Sequence, residues 1–216
     1  MISAGSLTLH CAIKNLQSEI PNSPMPDFLL HFDQQLFHFF NSDLANPVFD
    51  VIMPFITNVK NIYPLYALLF ILLLWKGGAN GRWASLLLVV TVAVADPLSS
   101  RVLKEAVGRE RPCRAEEDVR LLVNCGSGKS FPSSHAVNNF AALVVFFWFF
   151  RRYAWIWFLI ASAVSFSRIY VGVHYPLDIL GGAVIGIIIG VAVVVLFELL
   201  RKGWRKKKES EEYKRL

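Results

Sequence analysis

Five apolar segments dominate the sequence, at 62–75, 83–103, 136–150, 153–173 and 177–200. Crossing the hydrocarbon core of a bilayer takes about 20 mostly apolar residues, and a segment that crosses as a helix satisfies its own backbone. The expected fold class is therefore all-α: a polytopic membrane helix bundle with five transmembrane helices, flanking residues lengthening the first and third. Composition agrees, with 55% hydrophobic residues, 17 Phe and only 18% charged, where a soluble domain carries about 25% charged. The net charge of +6 lies mostly in the tail, since the residues from Arg201 onward hold eight Lys or Arg against three Glu. A basic cluster just past a span suits an anionic leaflet, and no nucleic-acid partner is expected.

Ahead of the spans the signals are weaker. Residues 1–26 lack the basic start, apolar run and small-residue cleavage site of a signal peptide. They end in a linker-like Asn22-Ser23-Pro24-Met25-Pro26, in which Met25 is an alternative start. Over 27–41, Phe28, Leu29, Phe32, Leu36, Phe39 and Phe40 alternate with His31, Asp33, Gln34, Gln35 and His38 at helical spacing. This predicts an amphipathic helix in the membrane interface, followed by a second amphipathic piece over 47–59. A dip of this 27–60 region into the bilayer would add a sixth span, the alternative to five. His31 and His38 read as polar face, because no further ligand stands at metal-site spacing.

The loops orient the bundle. Lys76 and Arg82 bracket one turn, Arg151 and Arg152 form another, and the basic tail 202–216 closes the 61–201 membrane domain. The positive-inside rule places all three in the cytoplasm, C-terminus included. Trp75, Trp83, Trp148, Trp155, Trp157 and Trp204 fall at the same ends, like one side of an aromatic belt. The loop 104–134 is then extracytoplasmic, although it carries Lys104, Arg109, Arg111, Arg114, Arg120 and Lys129. So many cations on the wrong side call for a reason, and a catalytic loop is one. Cys113 and Cys125 share this loop, in the compartment where disulfides persist, so a bridge between them is expected, with two free thiols as the alternative. Cys11 is left unpaired.

The polar residues of that face converge. Ser130-Phe131-Pro132-Ser133-Ser134-His135 runs straight into the third apolar segment. Small hydroxyl residues there either cap the helix or, with its unpaired N–H groups, receive an anion. Lys104 and Arg111 follow the second segment, Arg168 lies near the outer end of the fourth, and His174 and Asp178 bridge the fourth and fifth. A cation inside an apolar helix is costly unless paired or facing a polar cavity. Arg168 therefore either serves the site or forms an ion pair, for which Asp96, itself read as structural, is the available partner.

In this order and spacing, Lys104-(six residues)-Arg111-Pro112, then Pro132-Ser133-Ser134-His135, then Ser167-Arg168-(five residues)-His174-(three residues)-Asp178 resemble the three signature motifs of the type-2 phosphatidic acid phosphatase superfamily. The match covers 104–178 and is silent on residues 1–60. Ser133 stands where the family commonly has Gly, a small-for-small exchange. The resemblance implies a double displacement, with His174 as the nucleophile that forms a phosphohistidine and His135 as the acid for the leaving alcohol and then the base for water. No metal or other cofactor is implied.

The residues suit that chemistry independently. Phosphoryl transfer needs cations on the equatorial oxygens, supplied by Lys104, Arg111 and Arg168, with Ser133 and Ser134 completing the cradle. Asp178, four residues after His174, can hold one imidazole tautomer, and Pro176 in the first helical turn sets the carboxylate at a helix start. A site at the membrane surface favours a membrane lipid phosphate or diphosphate as substrate, with the bilayer itself as the other partner and no obligate protein partner evident. The short loops look bacterial, and the expected location is the cytoplasmic (inner) membrane with the site facing the periplasm or exterior. An outward site suits undecaprenyl diphosphate, with phosphatidylglycerol phosphate a related choice and lipid A 1-phosphate the alternative. A transporter needs polar residues through the middle of several spans, whereas here they gather at one end apart from Asp96. A haloperoxidase with the same cradle resembles soluble proteins instead, and a catalytically dead scaffold is disfavoured because every motif residue with a chemical role is present.

Overall fold

The computed structural model describes residues 26–214. The readings placed on the N-terminal segment, on Met25 and on Cys11 lie outside the described residues. Of those described, 26–32 close a first compact unit and 33–214 belong to a second. All regular structure among them is helical: α1 Asp27–His38 with a π turn Phe39–Asp43, α2 Pro47–Thr57, α3 Val59–Lys76 and α4 Gly78–Pro97. After α4 come a π segment Leu98–Leu103, the short α5 Lys104–Val107 and α6 Pro112–Ala115, then α7 Ser134–Phe149, a 3-10 turn Arg151–Tyr153, α8 Ala154–Tyr170 and α9 Pro176–Tyr213.

Three helical stretches are long and apolar enough to cross a bilayer: Val59–Lys76, Gly78–Ala115 and Pro176–Tyr213. The other two expected spans, α7 with 16 residues and α8 with 17, are shorter. Sixteen residues rise about 24 Å, less than the ~30 Å hydrocarbon core. The second expected span starts earlier than its apolar run, at Gly78, and changes to π geometry immediately before Lys104. The last continues without a break into the basic tail, so 202–213 extend the same helix.

The site depends on how α7 is held. It packs along α9 and against α4 and α8. Gly182, Gly186 and Gly190, one turn apart, turn a bare edge of α9 toward α7, where a Cβ would fall 2.9 Å from the Ser133 carbonyl oxygen, 2.3 Å from that of Val137 and 2.7 Å from that of Ala141. In a membrane, where burial adds no water-driven gain, backbone approach of this kind is what joins helices. The stripe fixes the start of α7 against the start of α9.

Two expectations are corrected here. The polar residues of α1 are not all on an open face: Asp33, Phe37 and Asn41, four residues apart, are each fully buried. Asn41 explains part of this, because its amide donates to the Tyr170 and Arg120 carbonyls at 2.8 and 2.9 Å while its oxygen accepts the Arg120 N–H. A buried amide with all three bonds made ties a helix to the fold as firmly as an apolar residue. The aromatic belt also loses a member. Trp157 is buried, stacked on Phe146 with ring centroids 4.4 Å apart, and donates its indole N–H to the Asn139 carbonyl. The other five Trp are exposed.

Candidate active site

Two walls face each other. The first is the turn between α8 and α9. Gly172 takes φ 86°, and a side chain there would strike Val119 and the Arg120 carbonyl at 2.8 and 2.9 Å, so both backbone and space call for glycine. The reversal it permits brings the Val173 and His174 amides onto the Arg168 carbonyl, each at 3.2 Å. Asp178, in the first turn of α9, accepts the Tyr175 N–H at 2.8 Å and so caps the helix with the carboxylate that faces His174. Its Oδ2 stands 3.4 Å from His174 Nδ1, long for a hydrogen bond, and also accepts the Ser130 hydroxyl. His174 is 1% exposed. Burial pushes its imidazole down to about 3, with Asp178 opposing and Arg168 and Arg111 reinforcing, so the ring is neutral at working pH.

Behind this wall stands a group whose members read in sequence only as a loop cation and a polar-face carboxylate. Arg109 donates Nη1 to Asp178 Oδ1 at 2.9 Å and Nη2 to Asp33 Oδ2 at 2.6 Å, with its guanidinium 4.0 Å over the Tyr175 ring. Asp33 Oδ1 accepts the Leu177 N–H at 2.8 Å. Burial raises the pKa of the Asp33 carboxyl, and the Arg109 and Leu177 bonds hold it down in part. The row Asp33–Arg109–Asp178–His174 is thus a chain of charge-assisted contacts ending on the imidazole. Arg109 lies two residues before Arg111, inside the motif spacing. The fourfold spacing of Asp33, Phe37 and Asn41 was the available signal for the buried face of α1.

The second wall is the start of α7 with the cations around it. Lys104 and Arg111 are buried, and both brace the loop: Lys104 Nζ donates to the Lys129 carbonyl at 3.0 Å, and Arg111 Nε and Nη1 donate to the Gly128 and Cys125 carbonyls at 2.9 and 2.8 Å. Lys104 lies within Coulombic range of Arg111 and Arg168. Arg168 Nη1 donates to Thr57 Oγ1 at 2.7 Å, so its side-chain partner is the last residue of α2, and the Asp96 ion pair is not formed. Asp96 instead accepts from Asn138 at 2.9 Å. Ser133 is the N-cap residue of α7 by position, yet its hydroxyl makes no capping bond, while its N–H goes to the Asp178 carbonyl at 3.1 Å. The capping alternative for these serines therefore fails. Ser133 Oγ, Ser134 Oγ, His135 Nε2 and Arg168 Nε are all buried without a partner. They are four of the eight such atoms among the described residues, and native proteins pair nearly all of them, so this wall has bonding capacity left for a ligand.

The remaining loop cations are structural. Arg120 pairs with Asp50 beneath the Tyr170 ring, and Lys129 and Arg114 both hold Glu110. Cys113 and Cys125 are joined by a disulfide, with Cα atoms 6.1 Å apart, closing the segment that presents its carbonyl to Arg111. His31 is exposed, and His38 lies 3.9 Å from Glu116.

From the second wall an apolar cavity of about 800 Å³ runs between α3, α4, α7 and α8, lined along its length by Leu69, Leu73, Phe146 and Trp157. Its polar end holds Ser134, His135, Asn138 and Asp96. Cations beside a neutral imidazole, on a wall whose Ser134 and His135 open into an apolar slot of a membrane bundle, meet the requirements of phosphoryl transfer on a lipid. Comparison with known proteins leads to the same class. Residues 83–202 match the PAP2 superfamily, and the chain belongs to it, as an enzyme of the phosphatase class. It is 34% identical over 175 residues to the lipid A 4'-phosphatase of Bacteroides thetaiotaomicron, covering 75% of each chain. It is 32% identical over 156 residues to the undecaprenyl-diphosphatase BcrC of Bacillus subtilis, covering 72% of this chain and 79% of the other. The crystal structure of Aquifex aeolicus LpxE superposes with a TM-score of 0.63 at 29% identity, over 74% of this chain and 93% of that one. The PAP2-type phosphatidylglycerolphosphate phosphatase of Bacillus subtilis shares the fold at a TM-score of 0.64 and 24% identity, over 92% and 97% of the two chains.

Proposed function

We propose that this protein hydrolyses a lipid phosphate or diphosphate at the extracytoplasmic face of a bacterial inner membrane, through a phosphohistidine on His174. The observation that carries the reading is the position of His135: it lines the polar end of an apolar, lipid-sized cavity, and its Nε2 has no partner. A lipid whose tail occupies that cavity delivers its ester oxygen to His135 and its phosphorus to the cations.

The chemistry follows from the two walls. His174 attacks phosphorus through Nε2, its Nδ1 proton directed at Asp178, and the phosphorus–oxygen ester bond breaks as His135 hands a proton to the departing oxygen. In the second half His135, now neutral, removes a proton from water, which attacks the phosphohistidine and returns His174 and inorganic phosphate. Lys104, Arg111 and Arg168 offset the charge on the three equatorial oxygens, with Ser133 and Ser134 donating from the α7 start, so side chains do the work that a metal does elsewhere. Orientation rests on Lys76, Arg82, Arg151, Arg152 and the basic end of α9 lying opposite the site in the chain's alternation.

Phosphate release from a panel of undecaprenyl diphosphate, phosphatidylglycerol phosphate and lipid A, with the purified full chain in detergent and a chelator present, tests the activity. Release from at least one lipid, abolished in His174→Ala, is expected. Release that needs added magnesium contradicts the metal-free mechanism.

A further inference from the structure

The polar end of the cavity contains one pair that the phosphoryl-transfer steps do not use. Asn138 Nδ2 donates to Asp96 Oδ1 at 2.9 Å, and both residues line the cavity beside Ser134 and His135. A carboxylate only accepts, so this bond fixes the amide orientation and leaves Asn138 Oδ1 as an acceptor and the second Nδ2 hydrogen as a donor. That oxygen is buried and has no partner. The neighbouring Asn139 differs, since its amide donates to the His135 carbonyl and its oxygen accepts the Tyr66 hydroxyl.

Asn138 follows His135 by three residues, so the two share a face of α7, with Asn138 about 4.5 Å further along the axis. An ester oxygen protonated by His135 therefore has its next atoms beside Asn138 and Asp96. Those two residues present there chiefly acceptors, the free Asn138 Oδ1 and the Asp96 carboxylate, with the second Asn138 N–H as their one remaining donor. Asp96 is also within Coulombic range of Lys104, so it takes up part of the positive field that a second phosphate would need.

We infer that Asp96 and Asn138 form a leaving-group subsite that selects phosphate monoesters whose leaving group carries hydroxyl or amide N–H donors, such as a sugar or a glycerol, and rejects diphosphates. The inference rests on the lipid phosphatase reading above and deepens it. With a monoester, the phosphorus–oxygen bond breaks, His135 protonates the alcohol, and the donors on that alcohol meet Asn138 Oδ1 and Asp96. With a diphosphate, the leaving group is itself a phosphate, an anion bearing acceptors, set against a carboxylate and an unpaired amide oxygen. Burying unmatched acceptors is how a polar site rejects an analogue strongly.

The test compares kcat/KM for three probes, lipid A, phosphatidylglycerol phosphate and undecaprenyl diphosphate, in the wild-type chain, Asp96→Asn and Asn138→Leu. A ratio of rates does not depend on how much of a variant folds. The wild type is expected to favour one of the two monoesters over the diphosphate, lipid A if the donors are those of a sugar and phosphatidylglycerol phosphate if they are those of a glycerol. Asp96→Asn is expected to shift the monoester-to-diphosphate ratio toward the diphosphate by about tenfold or more, the size of one charge-assisted contact. Asn138→Leu should lower the monoester rate with little change in the diphosphate rate. A wild-type preference for the diphosphate, or a ratio unchanged within twofold in both variants, overturns the subsite and leaves the phosphatase reading standing. No release from any lipid overturns that reading and the subsite with it.

Discussion

The turn that carries His174 and the helix start that carries His135 supply one histidine each, yet they differ in how far their polar atoms are satisfied. Around His174 the Asp178 carboxylate takes the Arg109 guanidinium, the Ser130 hydroxyl and the Tyr175 N–H, and Arg109 is in turn held by Asp33. Around His135 the Ser133 and Ser134 hydroxyls, His135 Nε2 and Arg168 Nε are buried and unbonded. A fully bonded wall keeps its geometry whether or not substrate is present, whereas an unbonded wall is completed by what it binds. The first has the character of preorganised machinery and the second that of a receptor.

Substitutions on the two walls should therefore fail differently. The largest effect is expected from His174→Ala, which removes the proposed nucleophile and should lower kcat by about a thousandfold or more, measured as phosphate release. Next comes Arg109→Ala, which leaves two buried carboxylates without their shared cation. Breaking a buried pair in this way typically costs about 3–5 kcal/mol, read by thermal unfolding in detergent. Because Arg109 touches Asp178 and not the phosphate, kcat should fall with KM nearly unchanged, and Arg109→Lys should recover part of the stability. Equal loss of substrate affinity would place Arg109 on the receptor wall instead.

Smaller effects belong to that receptor wall. Ser134→Ala deletes a hydroxyl that has no partner in the folded chain, so stability should stay within about 0.5 kcal/mol while KM rises roughly tenfold. A stability loss above 1 kcal/mol would mean that the hydroxyl is a structural bond after all. The smallest effect is that of pH on stability. His174 is held well below the ordinary imidazole value of 6.5, so the unfolded chain binds the extra proton first as pH falls. The stability it contributes is complete above that value and is lost toward acid, and the melting temperature should decline from pH 7 to pH 4. His174→Asn should flatten part of that decline.

The legible part of the molecule was what charge and periodicity announce. Lys104, Arg111, Ser133, Ser134, His135, Arg168, His174 and Asp178 stand out because polar groups next to apolar spans need a reason, and the fold draws them into one place. Arg109 escaped because it looks like one more polar residue in a polar loop; only the turn of the loop aims it at Asp178. Asp33 escaped for the opposite reason. On an amphipathic pattern a carboxylate is assigned to the wet face, and nothing local reveals that a guanidinium 76 positions later fills the space behind it. Asp96 and Arg168 were a plausible pair by charge alone, but Arg168 reaches Thr57 and Asp96 reaches Asn138. Trp157 shows the limit of a belt read from segment ends, since the end of an apolar run is not always the end of the packed core.

Trapping the covalent intermediate tests the division between the walls most directly. A lipid carrying a labelled phosphate is mixed with the full chain in detergent, quenched within milliseconds in alkali, where a phosphoramidate survives, and the labelled peptide is sequenced by mass spectrometry. The account predicts an acid-labile phosphoryl group on His174, absent in His174→Ala. Label on His135, on a serine of the α7 start, or on no residue while phosphate is still released would contradict it.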